Sequence, residues 1–207
     1  MRGSSISLLK FPFQDIDIAS FAYRKCCCID KTNRTLSPLP MKNPTGPEAF
    51  RKLASSPAKM RLFMLSRLPM VYLADVRVAG FTEERATTTI PLKYLTKNPF
   101  GSIYFACLSM AAELSTGVLC MMHVFQSVPA VSMLVVHMEA DFIKKATGKI
   151  TFVCEDGKQI REAVEQAKAT GEGQTVIATS TGTDEAGKEV ARFSFTWSFK
   201  VKRKRHV

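Results

Sequence analysis

The chain lacks the residue spacings on which metal sites and serine triads depend. Its six cysteines show no metal-ligand spacing. Cys26, Cys27 and Cys28 are contiguous and cannot all face one ion, and Cys107 and Cys120 lie in an apolar run where a cysteine behaves as a small hydrophobe. No metal site and no cofactor are expected. No secretory signal precedes the cysteines, which makes a reducing cytosol the expected compartment. There are three histidines. Neither His123 nor His137 matches a hydratase or dehydratase position, and Ser102, Ser109 and Ser115 lack a histidine–acid arrangement, which argues against a serine triad. No internal repeat and no low-complexity tract are present, so solenoid and propeller architectures are disfavoured. Acids are outnumbered, 18 against 29 bases, for a formal net charge of +11. Five of those bases fall in the tail Lys200–Arg205, which would attract any phosphate. No nucleic-acid-binding motif accompanies that tail, so it reads as a solvated terminus and no nucleic-acid partner is expected.

Charge is scarcest between Gly101 and Phe125, GSIYFACLSMAAELSTGVLCMMHVF, where Glu113 is the one formal charge. Three readings of this stretch compete: a membrane span with a functional acid, a buried helix with an incidental acid, or a buried helix presenting a catalytic acid. At 207 residues, 46% of them apolar, the chain suits one domain with a sizeable core. Residues 1–40 carry no sustained period and end in a Ser-Pro-Leu-Pro spacer, and Asp15 and Asp17 argue against a transit peptide. They are read as a disordered or spurious extension. Residues 41–207 are read as a single domain with a basic tail.

From Met41 the pattern becomes regular. Thr45-Gly-Pro-Glu48 resembles a capping box opening a helix with Phe50 and Leu53 on one face. Met60, Phe63, Met64 and Leu68 give a second helical stripe that Pro69 ends, either plain core or the cover of a greasy ligand. Val71–Val78 and Arg85–Ile90 read as strands. SMLVVHMEADFI reads as a long strand with Leu134, Val136, Met138 and Phe142 on one face. A turn at Ala146-Thr-Gly148 leads into KITFVCED. Helix IREAVEQAKA follows, stopped by Gly171, and QTVIATSTGT is a further strand. In VARFSFTWSFKV, Phe193, Phe195, Trp197, Phe199 and Val201 alternate with polar residues, the mark of a strand with one wet face.

Six strands with dry faces and one helix dry all round fit each other. Lipid could also enclose such a helix, but Glu113 is expensive at mid-membrane and the strand faces would be left uncovered. No membrane span is expected. The expected class is α+β: a six-stranded antiparallel sheet wrapped around a central apolar helix, with short N-terminal helices, the outline of the hotdog fold.

The sequence Asn98-Pro-Phe-Gly101, followed fifteen residues after the asparagine by Glu113, resembles the hotdog acyl-CoA thioesterases, including their phenylacetyl-CoA branch. The likeness is greatest to an uncharacterised branch sharing an N-x-x-G…A-A-E pattern. DFIKKATGKI and EVARFSFTWSFKV are similar to the family's later strands, and the resemblance spans about residues 45–203. It implies thioester hydrolysis with Glu113 as general base or nucleophile, Asn98 orienting water or carbonyl, Gly101 in the turn, and the backbone N–H of Phe105 as oxyanion donor. It also implies a homodimer or dimer of dimers with sites at the interface. The substrate would be an acyl-CoA or an acyl-carrier-protein thioester. One departure stands out: Tyr104-Phe105-Ala106 replaces the His-Gly-Gly of phenylacetyl-type members. A backbone donor survives that change, although the Phe105 ring narrows or shapes the approach. A non-catalytic acyl-CoA-binding module is the alternative reading.

Geometry adds a constraint. Along one helix, Phe105 and Glu113 stand about 12 Å apart, so one thioester carbon cannot touch both unless two chains contribute. Tyr104, Ala106, Met60, Phe63 and Met64 are expected around the acyl chain. Lys144, Lys145, Lys149 or the tail are expected near the phosphates. Each has a plainer alternative: Glu113 capped by Ser109 or Thr116, Asn98 as a turn residue, and the lysines as solvated charge.

Overall fold

The computed structural model describes residues 46–202; residues 1–45, including Thr45 of the expected capping box and the expected extension, and residues 203–207, with most of the expected basic tail, lie outside them. Three short helices open the domain: α1 (Pro47–Ala54), α2 (Pro57–Arg67) and α3 (Pro69–Leu73). Each has proline in its first turn, where the missing N–H costs no helical bond. Phe50 of α1 is wholly buried against Phe81 and Phe125.

Strands β1 (Arg77–Phe81) and β2 (Ala86–Ile90) precede the long helix α4 (Phe105–Val124). Then follow β3 (Val131–Phe142), β4 (Ile150–Cys154), α5 (Gly157–Thr170), β5 (Gln174–Thr183) and β6 (Glu189–Val201). All six strands form one antiparallel sheet in the order β1-β2-β4-β5-β6-β3, so β1 and β3 are its edges. Alternation explains the wrapping. Ala86, Thr88 and Ile90, Ile150, Phe152 and Cys154, and Phe193, Phe195, Trp197 and Phe199 all turn inward onto α4. By length and composition α4 is apolar enough to cross a membrane, yet two thirds of its most apolar window is buried inside this fold.

Three buried polar ties fix the helix against the sheet. The Thr88 hydroxyl donates to the Ala111 carbonyl (2.7 Å), Ser115 and Ser180 share a bond of 2.8 Å, and Trp197 Nε1–H donates to Thr116 Oγ1 (3.0 Å). Directional bonds in a dry interior set the rotation and height of α4, which greasy contacts alone would leave loose. Helix α5 closes as expected on Gly171, whose left-handed backbone (φ 74°) suits a residue without Cβ.

Two expectations are corrected. The segment expected as a strand over Val71–Val78 divides: Pro69 starts α3 rather than merely ending α2, Asp75 turns the chain with φ 55°, and pairing begins at Arg77. In β3 the expected common face of Leu134, Val136, Met138 and Phe142 is broken by a bulge between Val135 and His137. Leu134 pairs with Ser198 on the outer face, whereas Met138 pairs with Phe195 on the inner one. One extra residue reverses every later side chain.

Candidate functional site

The approach to α4 is built by a tight turn. Asn98 Oδ1 accepts from the N–H groups of Phe100 (3.0 Å) and Ser102 (3.2 Å), and its Nδ2 donates to Ser102 Oγ (3.0 Å). Gly101 N–H donates to the Asn98 carbonyl, with Gly101 at φ 75°. Asparagine is suited here because its side chain mimics a backbone turn, and glycine because that backbone region penalises a Cβ. The Asn98 side chain is thereby held by the turn itself. The chain is then pinned by Ile103 N–H to the Ala146 carbonyl (2.9 Å) and by Tyr104 N–H to the Thr96 carbonyl (2.7 Å).

Tyr104 is the N-cap of α4, and its carbonyl accepts from the N–H groups of both Cys107 and Leu108. Phe105 and Ala106 N–H have no acceptor among the described residues. Two unpaired amides at the positive end of a 20-residue helix make a donor pair for developing negative charge.

Phe105, which carries the first of these amides, lines an open cleft of about 410 Å³, and Ala106 is not among its walls. Asn98, Phe100, Tyr104, Phe105, Phe142, Lys144 and Lys145 are among its walls. Phe105 packs edge-on between Tyr104 and Phe142. Lys144 is paired with Asp184, whose carboxyl that lysine holds below the usual range. Lys145 is exposed and makes no ion pair among the described residues. The cleft thus gathers Asn98, Tyr104, Phe105, Lys144 and Lys145 from distant parts of the sequence. Of its walls, Phe100 and Phe142 escape sequence reasoning. The signal for Phe142 was its place two residues before Lys144, at the end of a strand whose bulge no sequence pattern reveals.

Glu113 stands two turns further along α4 and does not line this cleft. Its side chain is partly covered, and burial raises its pKa to about 7. Among the described residues its carboxylate has no hydrogen-bond donor. The hydroxyls that could have capped it are engaged elsewhere: Thr116 Oγ1 donates to the Glu113 backbone carbonyl (2.9 Å), and Ser109 Oγ lies 3.3 Å from Met138 Sδ. The carboxylate folds back over Gly117, where an added Cβ would stand 3.1 Å from Glu113 Oε1 and 3.6 Å from the Trp197 ring. Ala106, Ser109, Met110 and Glu113 form the one incompletely covered stripe of α4, and the Ser109–Met138 contact places it beside edge strand β3.

The remaining expected residues lie elsewhere. Met60 (3% exposed) and Met64 (wholly buried) are sealed in the core, and Phe63 packs against that core, none of them at the cleft. His123 is buried near the far end of α4, its pKa lowered by burial and by the nearby Lys168 and Arg161, while His137 pairs with Glu139 at the surface. Among the described residues no group of His, Cys, Asp or Glu is placed to hold a metal ion.

Comparison with known proteins gives the family. The model of a family described as a domain of unknown function (DUF4442) matches residues 58–199, more than half of the chain. No curated protein matches it. Among solved structures, a Pseudomonas aeruginosa protein of unknown function described as a probable thioesterase is 21% identical, with TM-score 0.61, over 71% of this chain and 97% of its own. A thioesterase from Haemophilus influenzae is 13% identical, with TM-score 0.52, over 73% and 95%. A thioesterase family protein from Silicibacter pomeroyi is 14% identical, with TM-score 0.52, over 71% and 100%. Likeness at such identities carries the fold. This chain belongs to the DUF4442 family of domains of unknown function, built on the hotdog fold.

Proposed function

We propose that the protein hydrolyses acyl thioesters at a site shared by two chains, with Glu113 as the base. The observation that carries this reading is the state of Glu113. It is an uncapped carboxylate with its pKa raised to about 7, on the one open stripe of an otherwise enclosed helix. A purely structural acid in such a place would be expected to have donors. The names of the solved structures sharing the fold support the reaction class.

In this mechanism the Glu113 carboxylate takes a proton from water as the oxygen adds to the thioester carbon. The carbonyl oxygen becomes an oxyanion facing the Phe105 and Ala106 amides. The C–S bond then breaks, and the thiolate leaves with the proton that Glu113 had taken. Asn98 holds the turn that aims those amides, and Gly101 permits it. Tyr104 and Ala106 flank the acyl group. Lys145, and Lys144 released from Asp184, meet the phosphates of a CoA or a carrier-protein arm. Met60, Phe63 and Met64 support the core rather than touch substrate.

Because the helix separates Glu113 from the Phe105 amide by about 12 Å, the two reach one carbon only across a two-fold axis, with α4 helices antiparallel. Edge strand β3 suits that role, since it is 12 residues long, unpaired on one side, and exposes Met138 beside the Glu113 stripe. Residues 41–207 act as one such domain, in a reducing cytosol. Release of free thiol from a panel of acyl-CoAs, wild type against Glu113→Gln, is the direct test, and the variant is expected at background. The non-catalytic acyl-CoA-binding reading is favoured by one feature, the Phe105 ring at the amide tip. It predicts that both proteins bind acyl-CoA equally and release no thiol.

A further inference from the structure

Helices α2 and α3 are apolar on faces that the core does not use. Met60, Met64 and Val71 are buried, while Leu62 (65%), Leu65 (49%), Met70 (64%) and Leu73 (54%) stand exposed on the same two helices. The segment 57–73, PAKMRLFMLSRLPMVYL, holds three cations and no acid. Arg61 is engaged, over the Tyr72 ring and with Asp75. Lys59 and Arg67 are exposed and make no ion pair among the described residues.

Asp75, at the end of α3, also pairs with Arg77 and Lys93. The Lys93 contact ties the helices to the loop that leads into the cleft, and that loop exposes Tyr94 (82%) and Leu95 (65%). A second exposed apolar pair, Tyr94 and Leu95, thus lies in the segment immediately preceding the Asn98 turn, joined to the end of α3 through the Lys93–Asp75 contact.

We infer that this surface docks on an anionic lipid bilayer. Exposed leucines and a methionine beside unpaired cations, with no acid in the same helices, make an apolar surface with basic neighbours that suits a negatively charged headgroup layer. Lys59, Arg67 and the chain's net charge of +11 complement a negative headgroup layer. Docking here brings the cleft loop to the layer in which long acyl chains partition. The inference does not depend on the thioesterase reading, since a binding module with this surface would dock in the same way.

The test is co-sedimentation of the full chain with vesicles of phosphatidylcholine alone and of phosphatidylcholine with phosphatidylserine at seven to three. Wild type is expected to pellet with the anionic vesicles, and to be released by high salt. Leu62→Glu/Leu65→Glu is expected to weaken this by at least about tenfold. Leu62→Ser/Leu65→Ser, milder for folding, should weaken it in the same direction, with circular dichroism confirming a folded chain. Absence of vesicle binding by wild type overturns the inference. So does binding that both leucine variants retain, which would assign the contact to the basic tail. A drop in self-association on replacing the leucines, without lipid binding, also overturns it in favour of a second copy as the occupant.

Discussion

In the proposed reaction the chemistry rests on one side chain, Glu113, and its neutral and charged forms make opposite predictions. Its pKa in the fold, about 7, lies above the ordinary 4.5 because burial penalises the charged form. The protonated form is therefore the one the fold favours. Its stabilising contribution is complete below the ordinary value and is lost as pH rises through about 7. Glu113→Gln should accordingly raise the melting temperature relative to wild type at pH 8, with the difference shrinking towards pH 5. Catalysis by the charged form runs the other way, so thiol release should climb with pH through about 7. Gly117 is the second residue to test. A methyl group at that position meets the Glu113 carboxylate at 3.1 Å, so the carboxylate must yield by a few tenths of an ångström. Gly117→Ala should lower kcat by up to about 100-fold with KM little changed. Displacement of the glutamate should also shift the pH midpoint, which a merely structural defect would not do.

At the scale of elements, α4 is held where hydrogen bonds put it. Trp197→Phe removes the donor to Thr116 and should destabilise the domain by about 1–3 kcal/mol in urea unfolding. Activity should fall further than this loss explains, because Thr116 also braces the Glu113 carbonyl. Much of the architecture was legible in the chain. Strand β5 matches QTVIATSTGT residue for residue, the alternation of β6 gave its inward face, and the near-absence of charge between Gly101 and Phe125 gave α4. The misread places have different causes, one in the local backbone and one in pairing with a distant strand. Val71 and its neighbours are β-branched or apolar enough for a strand, but Pro69 nucleates a helix turn and the left-handed Asp75 defers pairing to Arg77. The β3 bulge is invisible because the run around it is apolar on both faces. In the site, a lone acid in an oily helix was readable. That the Asn98 side chain is taken up by its own turn, and that Gly117 receives the carboxylate, needed coordinates.

For the molecule as a whole, the account requires two chains. Met138→Arg places a charge on the inner side of edge strand β3, beside the Glu113 stripe. It should yield a folded protein that sediments as a monomer and releases thiol at background, whereas wild type sediments as a dimer or larger. The most direct measurement is complementation. Phe105 occupies the first helical position, where proline is tolerated, and Tyr104 before it already has the extended backbone that precedes proline (φ −64°, ψ 135°). Phe105→Pro thus deletes the amide while sparing the helix. Mixed and re-annealed with Glu113→Ala, itself inactive, it should restore about a quarter of wild-type thiol release, since half the dimers are hybrids with one complete site. Two impaired parents whose hybrid dimers form and stay silent would contradict a site shared across the axis.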